Sequence, residues 1–114
     1  MAFHDLEIQN IKNTVGSLCE RKTNPALSDQ LRFDHIVENQ SVIIQEIRPC
    51  WRDESQTIYH DIAKLTYVKT KSAWSLFWKR SSGKWQTYEP AKSKKKLIDL
   101  VNEIEADKHN CFFG

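Results

Sequence analysis

Ile62-Ala63-Lys64-Leu65-Thr66-Tyr67-Val68-Lys69-Thr70-Lys71-Ser72-Ala73-Trp74-Ser75-Leu76-Phe77-Trp78-Lys79-Arg80 is the stretch that decides the fold. Apolar and polar residues alternate along it, the pattern of a half-buried strand. The alternation runs through Ala63, Leu65 and Tyr67, pauses at a polar cluster, and resumes at Trp74, Leu76 and Trp78. With Lys71-Ser72 as a two-residue turn, Tyr67 faces Leu76 and Leu65 faces Trp78. Ala63, Leu65, Tyr67, Trp74, Leu76 and Trp78 then share a core face, and Lys64, Thr66, Phe77 and Lys79 the solvent face. This register sets Lys64 opposite Lys79, and like charges directly opposed are unfavourable. Either the register differs or an anionic group compensates.

Further strands flank this hairpin. Leu31, Phe33, His35 and Val37 alternate with Arg32, Asp34, Ile36 and Glu38. Glu38-Asn39-Gln40-Ser41 reads as a turn, and Val42 to Arg48 is rich in β-branched residues, with Pro49 at its end. Ile58 to Thr70 is extended, Ser81-Ser82-Gly83 is a turn, and Lys84 to Tyr88 is a short last strand. The length of that last loop sets the side taken by Trp85, because a one-residue slip flips the face. Five sequential strands with short turns favour an antiparallel meander over 31–88.

The two ends of the chain read as helices. Ile8, Ile11, Val15, Leu18 and Cys19 fall on one arc of a helix over 3–22, which Thr23-Asn24-Pro25 stops. Leu97, Ile98, Leu100, Val101 and Ile104 share one side of a helix over 93–106, with Ser93 as its cap. Residues 107–114 form a tail. The expected fold class is α+β: N-terminal helix, five-stranded antiparallel meander sheet, and C-terminal helix packed on one face. The 114 residues suit one domain, 1–114.

Composition narrows the function classes. The formal net charge is +2, with 39% hydrophobic and 28% charged residues, an ordinary globular balance. No apolar run reaches the ~18 residues of a membrane span. Met1 to Glu7 lacks a basic n-region and an apolar h-region, so a cytoplasmic chain is expected, with no membrane partner. Cys19, Cys50 and Cys111 are odd in number and widely spaced, which suits reduced thiols.

Charge is distributed unevenly. Residues 1–50 carry net −2, residues 64–96 carry ten basic and one acidic residue, and residues 97–114 carry net −3. The basic middle also holds 6 of the 12 aromatics: Tyr67, Trp74, Phe77, Trp78, Trp85 and Tyr88. Basic side chains among aromatics on antiparallel strands suit single-stranded nucleic acid, whose phosphates follow the ammonium groups while bases stack on the rings. The candidate binding residues are Lys64, Lys79, Arg80, Lys84, Trp85, Lys92, Lys94, Lys95 and Lys96, with stacking by one or more of Trp74, Trp78 and Trp85. The same pattern fits a tryptophan-rich core with a lysine-solubilised outer face.

The segment from Arg48 onward carries a resemblance. Arg48-Pro49-Cys50-Trp51, Ala63-Lys64, Trp74-Ser75-Leu76-Phe77-Trp78, Trp85-Gln86-Thr87-Tyr88-Glu89-Pro90 and the terminal Cys111-Phe112-Phe113-Gly114 resemble DUF3024, a small bacterial family of unknown function. Phe113 stands where Trp is more usual. The resemblance runs from the first helix to the last residue. It implies a stand-alone bacterial cytosolic protein and brings no activity or catalytic role.

Other constellations carry less. Only His109-Asn110-Cys111 brings two metal-ligand types close together, and no second pair accompanies it, so no metal or cofactor is expected. Asp53-Glu54 lies in a loop, while Asp61 and Glu89 stand alone, so no carboxylate dyad is offered. Glycine-rich phosphate loops and hydrolase motifs are absent. Trp51 is expected to close the sheet edge from the core. Exposed, it would anchor a protein partner. The sequence therefore points to a non-catalytic binding module. A protein-protein or homodimerisation module is the first rival, and a small-molecule enzyme the second.

Overall fold

The computed structural model describes residues 3–113, so Met1, Ala2 and Gly114 lie outside the described residues. The amphipathic N-terminal segment forms α1 (Asp5–Ile11), a π-helical segment (Lys12–Gly16) and α2 (Ser17–Lys22) as one continuous rod. Strands β1 (Arg32–Glu38), β2 (Ser41–Pro49), β3 (Thr57–Val68), β4 (Ala73–Lys79) and β5 (Trp85–Thr87) follow. A two-residue β6 (Ser93–Lys94) and α3 (Leu97–Ala106) complete the chain. The sheet is antiparallel in the order β1-β2-β3-β4-β5, and β6 pairs with β4 beyond β5. This is the expected α+β meander between terminal helices.

Both helices cover one face. Ile11, Val15, Leu18 and Cys19 from the first rod meet Leu97, Leu100, Val101 and Ile104 from α3 over Val42, Ile44, Ala63, Leu65, Trp74 and Leu76. Each fully buried Leu or Ile contributes about 2–3 kcal/mol over an exposed one. Arg21 ties the two helices at the rim: its Nε and Nη2 donate to Glu105 at 2.9 and 2.8 Å. That pairing holds the Glu105 carboxyl below its ordinary range.

The central hairpin keeps the expected faces with a corrected register. Tyr67 pairs with Trp74, Leu65 with Leu76, Ala63 with Trp78, and Lys64 with Phe77. The connection is longer than two residues: Lys69–Lys71 make a 3-10 turn and Ser72 closes it with φ 47°. A shift of two preserves the parity of every side chain, so the core face survives while Lys64 leaves its place opposite Lys79.

The second helix begins later than expected. Ser93 is not its cap, because Ser93 and Lys94 pair with Ser75 and Trp74 of β4. Leu76 N–H also donates to the Lys92 carbonyl at 3.1 Å. These bonds hold Ser93 and Lys94 in the sheet, and α3 starts only at Leu97.

The tail is built into the core. Asp107 ends α3 in the left-handed region, and its carboxylate accepts Phe112 N–H at 3.1 Å and Phe113 N–H at 2.8 Å. Phe112 is thereby buried against Tyr88, with ring centroids 5.0 Å apart. Phe113 meets Phe33 edge to face at 5.2 Å, and Lys22 Nζ lies 4.6 Å from the Phe113 ring centroid. Among the described residues, no helix is long and apolar enough to cross a membrane.

Candidate anion-binding surface

Directly paired residues share a face, so the register maps the side of the sheet that the helices leave uncovered. Ile36, Ile43, Lys64, Phe77 and Thr87 form one row across it. Asp34, Gln45 and Asp61 lie in the next row, and Lys79 pairs with Trp85 beside them. Lys64 lies between Ile43 and Phe77, its two cross-strand partners, and is half-buried.

A β-bulge shapes this face. The β2–β3 register moves from Ile44 opposite Ala63 to Gln45 opposite Asp61, leaving Ile62 as the extra residue. Bulges re-aim side chains. Here Ile62 is buried and Asp61 joins Gln45 on the open face. Asp61 Oδ1 accepts from Gln45 Nε2 at 2.8 Å, and its Oδ2 accepts from Lys79 Nζ at 3.3 Å. The anionic neighbour that the charge pattern called for is therefore Asp61, and the register shift removes the Lys64–Lys79 opposition as well.

Trp85 collects the cations. Lys79 Nζ lies 5.3 Å and Lys64 Nζ 5.9 Å from its ring centroid. Each such contact contributes about 0.5–1 kcal/mol at a partly exposed site. The face of Trp85 follows from the loop before it. Arg80 N–H donates to the Lys84 carbonyl and Gly83 N–H to the Arg80 carbonyl, with Gly83 at φ 85°. This three-residue loop needs the left-handed residue that glycine supplies. Arg80 and Lys84 are exposed on that loop, next to the Trp85 cluster.

The nine candidate residues do not form one patch. Lys64, Lys79, Arg80, Lys84 and Trp85 gather at one end of β4. Exposed Lys94, Lys95 and Lys96 sit at the other, where β6 pairs with Trp74 and Ser75, and exposed Lys92 lies between the two ends, beside Leu76. Seven residues of strand separate the ends, about 20 Å. Trp74 is withdrawn from stacking: it is 7% exposed, lies against Phe3 at 5.5 Å and touches Tyr67 at 5.4 Å. Trp78 is partly buried against the core cluster. Trp85 alone of the three stands on the open face.

Trp51 corrects another expectation. It does not close the sheet edge but is 82% exposed in the β2–β3 loop, with the Arg52 guanidinium 4.8 Å from its ring centroid. The loop is fixed by Cys50 N–H on the Gln56 carbonyl and by Ser55 on Asp53. The Ser55 hydrogen bonds hold the Asp53 carboxyl below its ordinary range. These local bonds complete the loop without drawing the indole inward. Cys111 Sγ donates to the His109 backbone carbonyl at 3.7 Å, and burial with Asp107 nearby pushes its thiol upward.

In the sequence Asp61 reads only as a lone carboxylate, and Gln45 is not among the candidates. The signal was the adjacent apolar pair Ile62-Ala63, which breaks the alternation where the bulge falls.

The family model described as Domain of unknown function (DUF3024) matches residues 3–114. No curated protein and no solved structure matches the chain.

Proposed function

The chain belongs to the DUF3024 family, and from this premise we propose that it is a non-catalytic binding module for an anionic polymer, single-stranded nucleic acid first. The observation that carries the reading is Trp85 with Lys64 and Lys79 at its ring on an uncovered sheet face, bordered by Arg80 and Lys84. A phosphate run would follow Lys64, Arg80 and Lys84, and a base would stack on Trp85. Lys79 contributes less charge, because Asp61 pairs with it. Lys92, Lys94, Lys95 and Lys96 extend the positive potential along the same sheet edge and steer the polymer at longer range.

The test is the anisotropy of a labelled single-stranded oligonucleotide of on the order of ten nucleotides. Binding should saturate at low salt and weaken linearly on a log-log salt plot, with a slope near −0.7 per neutralised phosphate. K64Q and K84Q should each lower the affinity and flatten the slope. A flat anisotropy trace at low salt would remove the proposal.

A second reading rests on Trp51. A Trp this exposed at a loop tip, with Tyr59 58% exposed on the following strand, suits an aromatic anchor for a protein partner or a second copy of the chain. Pairing through the β1 edge is the weaker route. Phe33 N–H is taken by Thr23 Oγ1 at 2.9 Å and His35 N–H by Asp34 Oδ1 at 2.8 Å, which blunts that edge. A mass that rises with concentration and falls back in W51A would support the second reading.

A further inference from the structure

The opposite edge of the sheet holds a cleft of about 720 Å³ between the N-terminal rod and β1. Its floor is Phe33 and Cys19, and burial pushes the Cys19 thiol up to about 12, so the floor stays apolar. The π-helical segment borders it. Segments of this kind insert one extra residue into a turn and occur often at functional sites. Here the segment ends on Gly16, whose missing Cβ would stand 3.5 Å from His35 Cε1 and 3.9 Å from Lys12 Cβ. Both are ordinary contact distances, so the imidazole and the lysine stem line the cleft on either side of the glycine.

The polar groups of the cleft are unevenly engaged. The Thr23 hydroxyl is spent on Cys19 and Phe33. His35 Nδ1 is buried without a hydrogen bond, and the nearest carboxylate oxygen, Asp34 Oδ1 at 3.5 Å, already accepts His35 N–H. Among the described residues, Lys12 and Arg32 enter no ion pair. Glu20 and Asp34 also line the cleft, so the anion-binding part is confined to Lys12 and Arg32, whose unpaired charges beside an apolar floor suit a ligand with a charged head and a carbon skeleton.

We propose that this cleft binds a small organic anion, a carboxylate or a phosphate ester, with its head between Lys12 and His35 over Gly16 and its skeleton on Phe33 and Cys19. Arg32 closes the far end and favours a second oxygen there. The site lies on the other edge of the sheet from Trp85, so it stands or falls apart from the polymer reading.

The test is NMR of the full chain, following the assigned His35 ring during titration with benzoate and, separately, phenyl phosphate. Saturable shifts with millimolar dissociation constants are expected for ligands of this size. K12Q should weaken binding about tenfold, the worth of one charged hydrogen bond, with unchanged thermal unfolding. A response to benzoate alone assigns a carboxylate head, and to phenyl phosphate alone a phosphate head. Still His35 resonances with both probes would overturn the proposal. So would binding unchanged in K12Q, or inorganic phosphate binding as tightly as phenyl phosphate, which would take the skeleton off the floor.

Discussion

Replacing Asp107 tests how the family-like ending is held. Its carboxylate accepts two backbone N–H groups, from Phe112 at 3.1 Å and Phe113 at 2.8 Å. A hydrogen bond to a charged group contributes about 1.5–3 kcal/mol. Both bonds are partly buried, so the low end applies and water recovers some of it. Asp107 also sits at φ 44°, where alanine costs about 1 kcal/mol more than aspartate. D107A should therefore lose about 3 kcal/mol. D107N tolerates the left-handed backbone and keeps one acceptor, so it should lose about 1 kcal/mol. D107G relieves the backbone without restoring the bonds and should fall between them. The assay is urea unfolding, where the midpoint shifts at constant slope if stability alone changes. A double-mutant cycle with F112A locates the effect. Phe112 is buried, so F112A alone should cost about 3–5 kcal/mol. The pair should be clearly less than additive, because each change releases the same tail. D107A within about 0.5 kcal/mol of wild type, a change ordinary for a surface site, would refute the reasoning.

Three further outcomes are expected. Cys19 keeps its proton in the folded chain up to about 12 against an ordinary 9.0, so it adds nothing to the pH dependence below pH 9. Above that the unfolded thiol ionises first, and the stability margin of wild type over C19A should shrink by about 1.4 kcal/mol per pH unit; a constant margin would contradict the burial of this thiol. S72G should stabilise by about 0.5–1 kcal/mol, since Ser72 holds φ 47° and ψ 45° at a position glycine enters freely, and thermal melts would show the gain. D61N releases Lys79 from its 3.3 Å partner. The pair is partly exposed, so the stability loss should be about 1 kcal/mol or less. Oligonucleotide affinity at low salt should rise severalfold, and a fall would count against the open face as the binding surface.

The strand plan was legible because period-two alternation survives small errors. A register wrong by two residues at Lys71-Ser72 still put Leu65, Trp74 and Leu76 in the core, since only odd slips flip a face. What alternation cannot display is where a neighbouring strand takes a segment from a helix. Ser93 has the chemistry of a helix cap, yet its backbone pairs with Ser75. The bulge at Ile62 is likewise a tertiary solution, which sets Asp61 against Gln45 and Lys79 across the sheet. Trp51 shows the same limit from the other side. Indole hydrophobicity argues for burial, and the self-bonded loop around Asp53 leaves the ring outside. Of the candidate site, the basic residues were legible as a composition and not as an arrangement. Charge counts cannot tell that β4 separates Lys84 from Lys94 or that Trp74 belongs to Phe3.

The central claim is that Trp85 and its lysines receive an anionic polymer on the uncovered face. The most direct measurement is tryptophan fluorescence of wild type and W85F, titrated with a mixed single-stranded oligonucleotide at low and high salt. The account predicts saturable quenching at low salt in wild type, steep weakening with salt, and loss of most of the signal in W85F. Unchanged fluorescence at low salt, or equal quenching in W85F, would contradict it.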